Sequence, residues 1–79
     1  MMIIGNVLAV EPDDSMEAHV RRYLAFRFPG HAAVDLRGED EIWTARLHSA
    51  EAGDAEVTIK ADLIEDDLYL AFDILDMAA

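Results

Sequence analysis

Cysteine is absent from this 79-residue chain, so no disulfide staples it and no thiolate can hold a metal. Lysine is nearly absent as well: Lys60 is the only one, and six basic residues in all face seventeen acidic ones. The resulting net charge of −11 runs against nucleic acid and anionic membrane surfaces as direct partners, because both are bound chiefly through Lys and Arg. Proline and glycine are scarce, at two and four residues, while 53% of the chain is hydrophobic. Few breaks and ample apolar content point to a folded chain despite the charge. No apolar run approaches the roughly 20 residues that cross a bilayer, and no basic leader precedes the apolar start at Met1–Val10. Neither a membrane span nor a secretory signal is therefore expected, and the expected location is the cytoplasm.

A chain this short is one domain, residues 1–79, and buries only about 60–65% of its unfolded surface. That suffices for a two-layer core and not for a deep catalytic cavity. The core is organised around residues 15–28, SMEAHVRRYLAFRF, the one stretch with a clear helical period. Met16, Val20, Tyr23, Leu24 and Phe28 form its buried face. Asp13, Asp14 and Ser15 supply cap acceptors and favourable charge at its start, and Glu17 and Arg21 can pair one turn apart. Phe28-Pro29-Gly30 ends it, since the residue before proline resists the helical region. Arg27 interrupts the apolar arc: either the helix frays near Phe26 or the guanidinium extends to the rim.

Upstream, Met1–Val10 is apolar on both alternating faces and reads as a strand covered on two sides. Gly5-Asn6 breaks it, as a bulge or as a very short hairpin, and the bulge is preferred. Downstream the period is two, giving strands near 32–37, 42–48, 56–63 and 68–75. Trp43, Ala45 and Leu47, then Val57, Ile59, Ala61 and Leu63, then Leu68, Leu70, Phe72 and Ile74 are assigned to the face under the helix. Thr44, Arg46, His48, Glu56, Thr58, Lys60, Asp62, Tyr69 and Asp73 are assigned to the wet face. The last segment also fits a short helix with Asp73 and Asp76 outward. The expected fold is α+β, order β-α-β-β-β(-β): a single helix on one face of a four- to five-stranded, mainly antiparallel sheet.

Charge is unevenly placed. Residues 1–38 hold five acids and four bases, residues 39–79 twelve acids and two bases. If successive strands alternate in direction, three acidic loops meet at one end of the sheet: Asp13 and Asp14; Glu39, Asp40 and Glu41; Glu65, Asp66 and Asp67. Asp favours turns and helix starts, and water screens crowded charge within about 8–10 Å, so solubility alone accounts for much of this. A negative rim also suits a basic protein surface, where it raises association rate and selects partners. Clustered carboxylates can attract hard divalent cations, but no EF-hand spacing is present and no cofactor or metal is assigned.

Little else suggests chemistry. His19, His31 and His48 lack zinc-like spacing; His19 reads as a rim residue of the helix, and His48 as a weak recognition candidate on the wet face. Ser15 reads as a cap and Ser49 as a hairpin residue. Trp43 has the phase of a core residue. Carboxylates in wet turns lack the desolvated setting that separates the pKa values of a catalytic pair, so the chain is read as a non-enzyme. The expected function is a small acidic protein-binding module, of the inhibitor or immunity and anti-defence type, docking its carboxylate rim on a basic site of a larger protein. The alternative is a self-associating accessory domain, a homodimer through an edge strand or open sheet face, with the charge serving solubility.

Overall fold

The computed structural model describes residues 3–78, so the expected strand positions Met1 and Met2 lie outside the described residues. Helix α1 runs Met16–Arg27, with Ser15 extended before it and accepting the Ala18 N–H through its hydroxyl at 3.1 Å. The start is the one that Asp13-Asp14-Ser15 implied. At the other end, the Phe28 N–H still reaches the Leu24 carbonyl at 2.9 Å before Pro29 stops the ladder.

Among the described residues six strands form one antiparallel sheet: β1 (Ile3–Ile4), β2 (Val7–Ala9), β3 (Ala32–Glu39), β4 (Ile42–Ser49), β5 (Gly53–Ile64) and β6 (Tyr69–Ala78), in the order β1-β2-β6-β5-β4-β3. This is the α+β fold expected, one helix packed on one face of an antiparallel sheet, but with six strands rather than four or five, two of them ahead of the helix. The expected first strand is folded back on itself. Gly5-Asn6 is not a bulge but the turn of a two-residue hairpin pairing Ile4 with Val7, with Gly5 at φ +60, the left-handed conformation that such turns require at their first central position. The expectation of cover on both sides is also corrected, because Val7 and Ala9 pair with Ala71 and Tyr69 on the face that carries no helix. The terminal segment is strand, not helix, through Ala78.

The core lies between α1 and the middle of the sheet. Val20, Tyr23 and Leu24 meet Leu8, Ala45, Leu47, Val57, Ile59, Ala61, Leu70 and Phe72, all buried. The Tyr23 ring stacks on Phe72 with centroids 4.2 Å apart and planes 3° from parallel, and its hydroxyl donates to Asn6 Oδ1 at 3.1 Å. One side chain thus joins helix, central strand and N-terminal hairpin. Arg27 does not fray the helix; its guanidinium lies over the Phe28 ring, 5.1 Å from the centroid. Trp43 packs against the core as expected, and Gly38 makes room for it: a β-carbon on Gly38 would fall 2.0 Å from the indole.

His19 departs from its expected place. It is buried, its Nδ1–H donating to the Ser15 carbonyl at 2.7 Å and its Nε2 accepting the Glu11 N–H at 2.8 Å. The ring is a bracket that ties the loop after β2 to the first helical turn, and its polar atoms are satisfied by backbone.

Two bulges shape the sheet. Asp35, at φ +52, is the extra residue between Val34 and Leu36, and its carboxylate meets Arg46 at 2.8 Å. Leu75 is the extra residue on β6, since Ile74 faces Ile59 and Asp76 faces Thr58. The open face is wet, as expected, with Arg46 and His48 both on Asp54 at 3.8 and 2.5 Å.

Two tests follow from this core. Gly38→Ala should lower stability by about 1–3 kcal/mol through overpacking and red-shift Trp43 emission; an unchanged melt would show that the indole lies elsewhere. Burial raises the Tyr23 phenol above its ordinary value, with the nearby Arg27 partly opposing that rise. Neutral Tyr23 therefore contributes fully below pH ~10, and its contribution is lost as pH rises through and beyond that value. Tyr23→Phe should cost about 1 kcal/mol near neutrality, and urea melts from pH 9 to 11.5, a window set by the ordinary value of about 10, should show that cost shrinking.

Candidate functional site

Strand direction and register place the acidic loops. The chain leaves β2 at the same end of the sheet where α1 begins, where β3 turns into β4, and where β5 turns into β6. Two contacts fix the neighbourhood: the Val10 N–H donates to the Leu68 carbonyl at 2.9 Å, and Met16 lines a groove with the β3–β4 turn and the end of β5. Asp13, Asp14, Glu39, Asp40, Glu41, Glu65, Asp66 and Asp67 are all exposed there.

They do not form a level rim. Ile42 opens β4 opposite Lys60, whereas β5 continues four residues further, to Ile64 paired with Tyr69. At about 3.3 Å per residue, the Glu65–Asp67 turn stands roughly 13 Å beyond the Asp40-Glu41 turn. The edge is a step, with Glu39, Asp40 and Glu41 on the lower tread and Glu65, Asp66 and Asp67 on the upper.

Cations neutralise little of it. Asp14 is bound by Arg22, and Glu41 is 3.9 Å from Lys60, which also reaches Asp62 at 3.7 Å. Asp13, Glu39, Asp40, Glu65, Asp66 and Asp67 have no ion-pair partner among the described residues. The arginine doublet is committed elsewhere, Arg22 to Asp14 and Arg21 to Glu17 at 3.4 Å and to the Ala33 carbonyl at 3.2 Å. Among the described residues no three histidine or carboxylate side chains come together closely enough to hold a metal ion.

The upper turn is conformationally costly. Glu65, Asp66 and Asp67 lie at φ +53, +57 and +66 in succession, where each non-glycine residue costs about 1–2 kcal/mol, less for Asp. Leu68 closes the turn by donating its N–H to the Glu65 carbonyl at 3.2 Å.

Apolar side chains accompany the acids, and this the pattern of alternation concealed. Leu63 and Leu68, expected in the core, are 49% and 63% exposed, and Ile42 is 43% exposed. Leu63 has the right phase but lies past the helix, and Leu68 belongs to the turn. Ile42 and Leu63 share the groove with Met16 and Ala61, and Asp62 joins Glu39, Asp40 and Glu41 around it. The signal available beforehand was length: a strand reaching residue 63 outruns a helix of about 18 Å.

No family model, curated protein or solved structure matches the chain. No helix among the described residues is long and apolar enough to cross a membrane.

The left-handed turn has a direct test. Asp66→Gly should hold or raise stability, by up to about 1 kcal/mol, whereas Asp66→Val should lower it by about 1 kcal/mol. Equal thermal melts for the two variants would contradict the turn geometry.

Proposed function

We propose that this chain is a small, non-catalytic protein-binding module that docks its acidic step on a basic surface of a larger protein. What supports this most is the pairing of six unneutralised carboxylates from three loops with half-exposed Ile42, Leu63 and Leu68 at the same end. Apolar contacts set among polar and charged ones are the usual anatomy of an interface. The charge speeds encounter and rejects acidic partners, and the apolar contacts slow dissociation. A basic surface of the needed kind occurs where a protein holds nucleic acid, so occupation of it would make this chain an inhibitor acting by occlusion, and cytoplasmic residence fits that role.

A second reading has its own observation. β2 covers the outer edge of β6 only as far as Ala71, with Phe72 donating to the Asn6 carbonyl at 2.9 Å. Asp73–Ala78 therefore present an uncovered edge, with Leu75 and Met77 about half exposed. Self-association there would bring two chains of −11 together and strengthen as salt screens them.

The variant Asp40→Lys, Glu41→Lys, Asp66→Lys, Asp67→Lys separates the two readings. Captured partner should bind the native chain, dissociate as salt rises, and lose about 100-fold in affinity for the variant while circular dichroism stays unchanged. Equal affinity for both would contradict the acidic step as the docking surface, and a dimer tightening with salt would favour the β6 edge.

A further inference from the structure

We propose, building on the docking reading above, that the groove under the upper turn takes an extended basic segment of the partner as a short added strand on β5. The geometry begins with an edge. The Ala61 N–H donates to the Glu41 carbonyl at 2.8 Å, and beyond that bond no strand among the described residues lies on the β4 side of β5, although β6 still pairs with Asp62, Leu63 and Ile64 on the other. Backbone groups of a strand alternate in direction with a period of two. Since Ala61 points its N–H toward β4, Leu63 points its own N–H and carbonyl the same way, into the groove. The peptide groups are held in place by β6 and offered to whatever lies alongside, which is how strand-addition sites work.

The groove has a volume of about 970 Å³ and is an open trough rather than an enclosure, which suits a chain segment better than a small molecule. Its two sides differ. Leu63 and Met16 lie on the helix side of the sheet, whereas Asp62 and Glu39 lie on the open side, by their pairing with Ala71 and with Ile42, and Ile42 lies between them on that side. A strand laid here would turn alternate side chains to these two sides. The complementary sequence therefore alternates aliphatic residues with Lys or Arg. This chain cannot supply such a segment to a second copy: its one lysine is Lys60, inside β5, and its only basic doublet, Arg21-Arg22, is helical. Charge thus selects a partner protein over self-pairing.

The test uses a synthetic peptide, acetyl-Lys-Val-Lys-Leu-Lys-Val-Lys-amide, and the same peptide N-methylated at alternate residues, titrated into the nitrogen-15-labelled chain at low salt. The parent peptide should shift the amides of residues 61–64 and slow hydrogen exchange at Leu63. N-methylation at the alternate residues whose amides would face β5 keeps every charge but removes the backbone donors along that edge, so it should weaken binding about ten-fold or more. Leu63→Ala should weaken the parent peptide several-fold. Equal binding of the two peptides, shifts confined to residues other than 61–64, or no binding at all would each overturn strand addition. If a basic protein partner still depends on the four charge-reversed acids in that event, the docking reading stands and only the added strand falls.

Discussion

One helix of twelve residues spans about 18 Å, while β5 alone carries twelve residues and the molecule is 39 Å long. The short element can cover only the middle of the long one, and much of the architecture follows from that. Where α1 lies, Val57, Ile59 and Ala61 are buried; past its N-terminus, Leu63 on the same strand face is half exposed. The dry region is centred on the Tyr23–Phe72 stack, and the ends of the sheet are left exposed. In a chain of this size, where the surplus of burial over entropy is small, such uncovered apolar ends are an expense that a binding role would explain.

Two stretches of strand backbone with a free side, the edge strand β3 and the end of the interior strand β5, are treated differently. At β3 the bulge at Asp35 and its pairing with Arg46 interrupt the ladder, which discourages addition of another strand. β5 ends without a neighbour on its β4 side, amid carboxylates that would repel an acidic or neutral-to-acidic strand and admit a basic one. On the docking reading, charge there would act as a filter on a backbone edge that would otherwise be promiscuous. The same placement would oppose pairing of two copies of this chain at low salt.

Much of the fold was legible because helical and strand periods change cleanly at Pro29-Gly30. Ser15 as cap, Val20, Tyr23 and Leu24 as the buried face of α1 with Met16 and Phe28 partly buried at its two ends, and Trp43, Ala45, Leu47, Val57, Ile59, Ala61, Leu70 and Phe72 toward the helix were all readable from spacing. The misses have physical causes. Residues 3–10 are apolar at almost every position, so a bulge and a two-residue hairpin at Gly5-Asn6 leave the same pattern. His19 sits beside the buried face, and hydropathy cannot say that two backbone groups, from Glu11 and Ser15, will satisfy its ring. Alternation gives the phase of Leu63 but not what lies above it. The three acidic loops were placed at one end by strand direction alone; the step between them depends on register, which no local pattern encodes.

Hydrogen exchange on the chain bound to its captured partner tests the account most directly, because it reports both edges at once. If the acidic step is the docking surface, amides of residues 40–42 and 61–68 gain protection on binding, while those of residues 73–78 exchange as in the free chain. Protection confined to residues 73–78, with the step unchanged, would contradict the account and move the interface to the uncovered edge of β6.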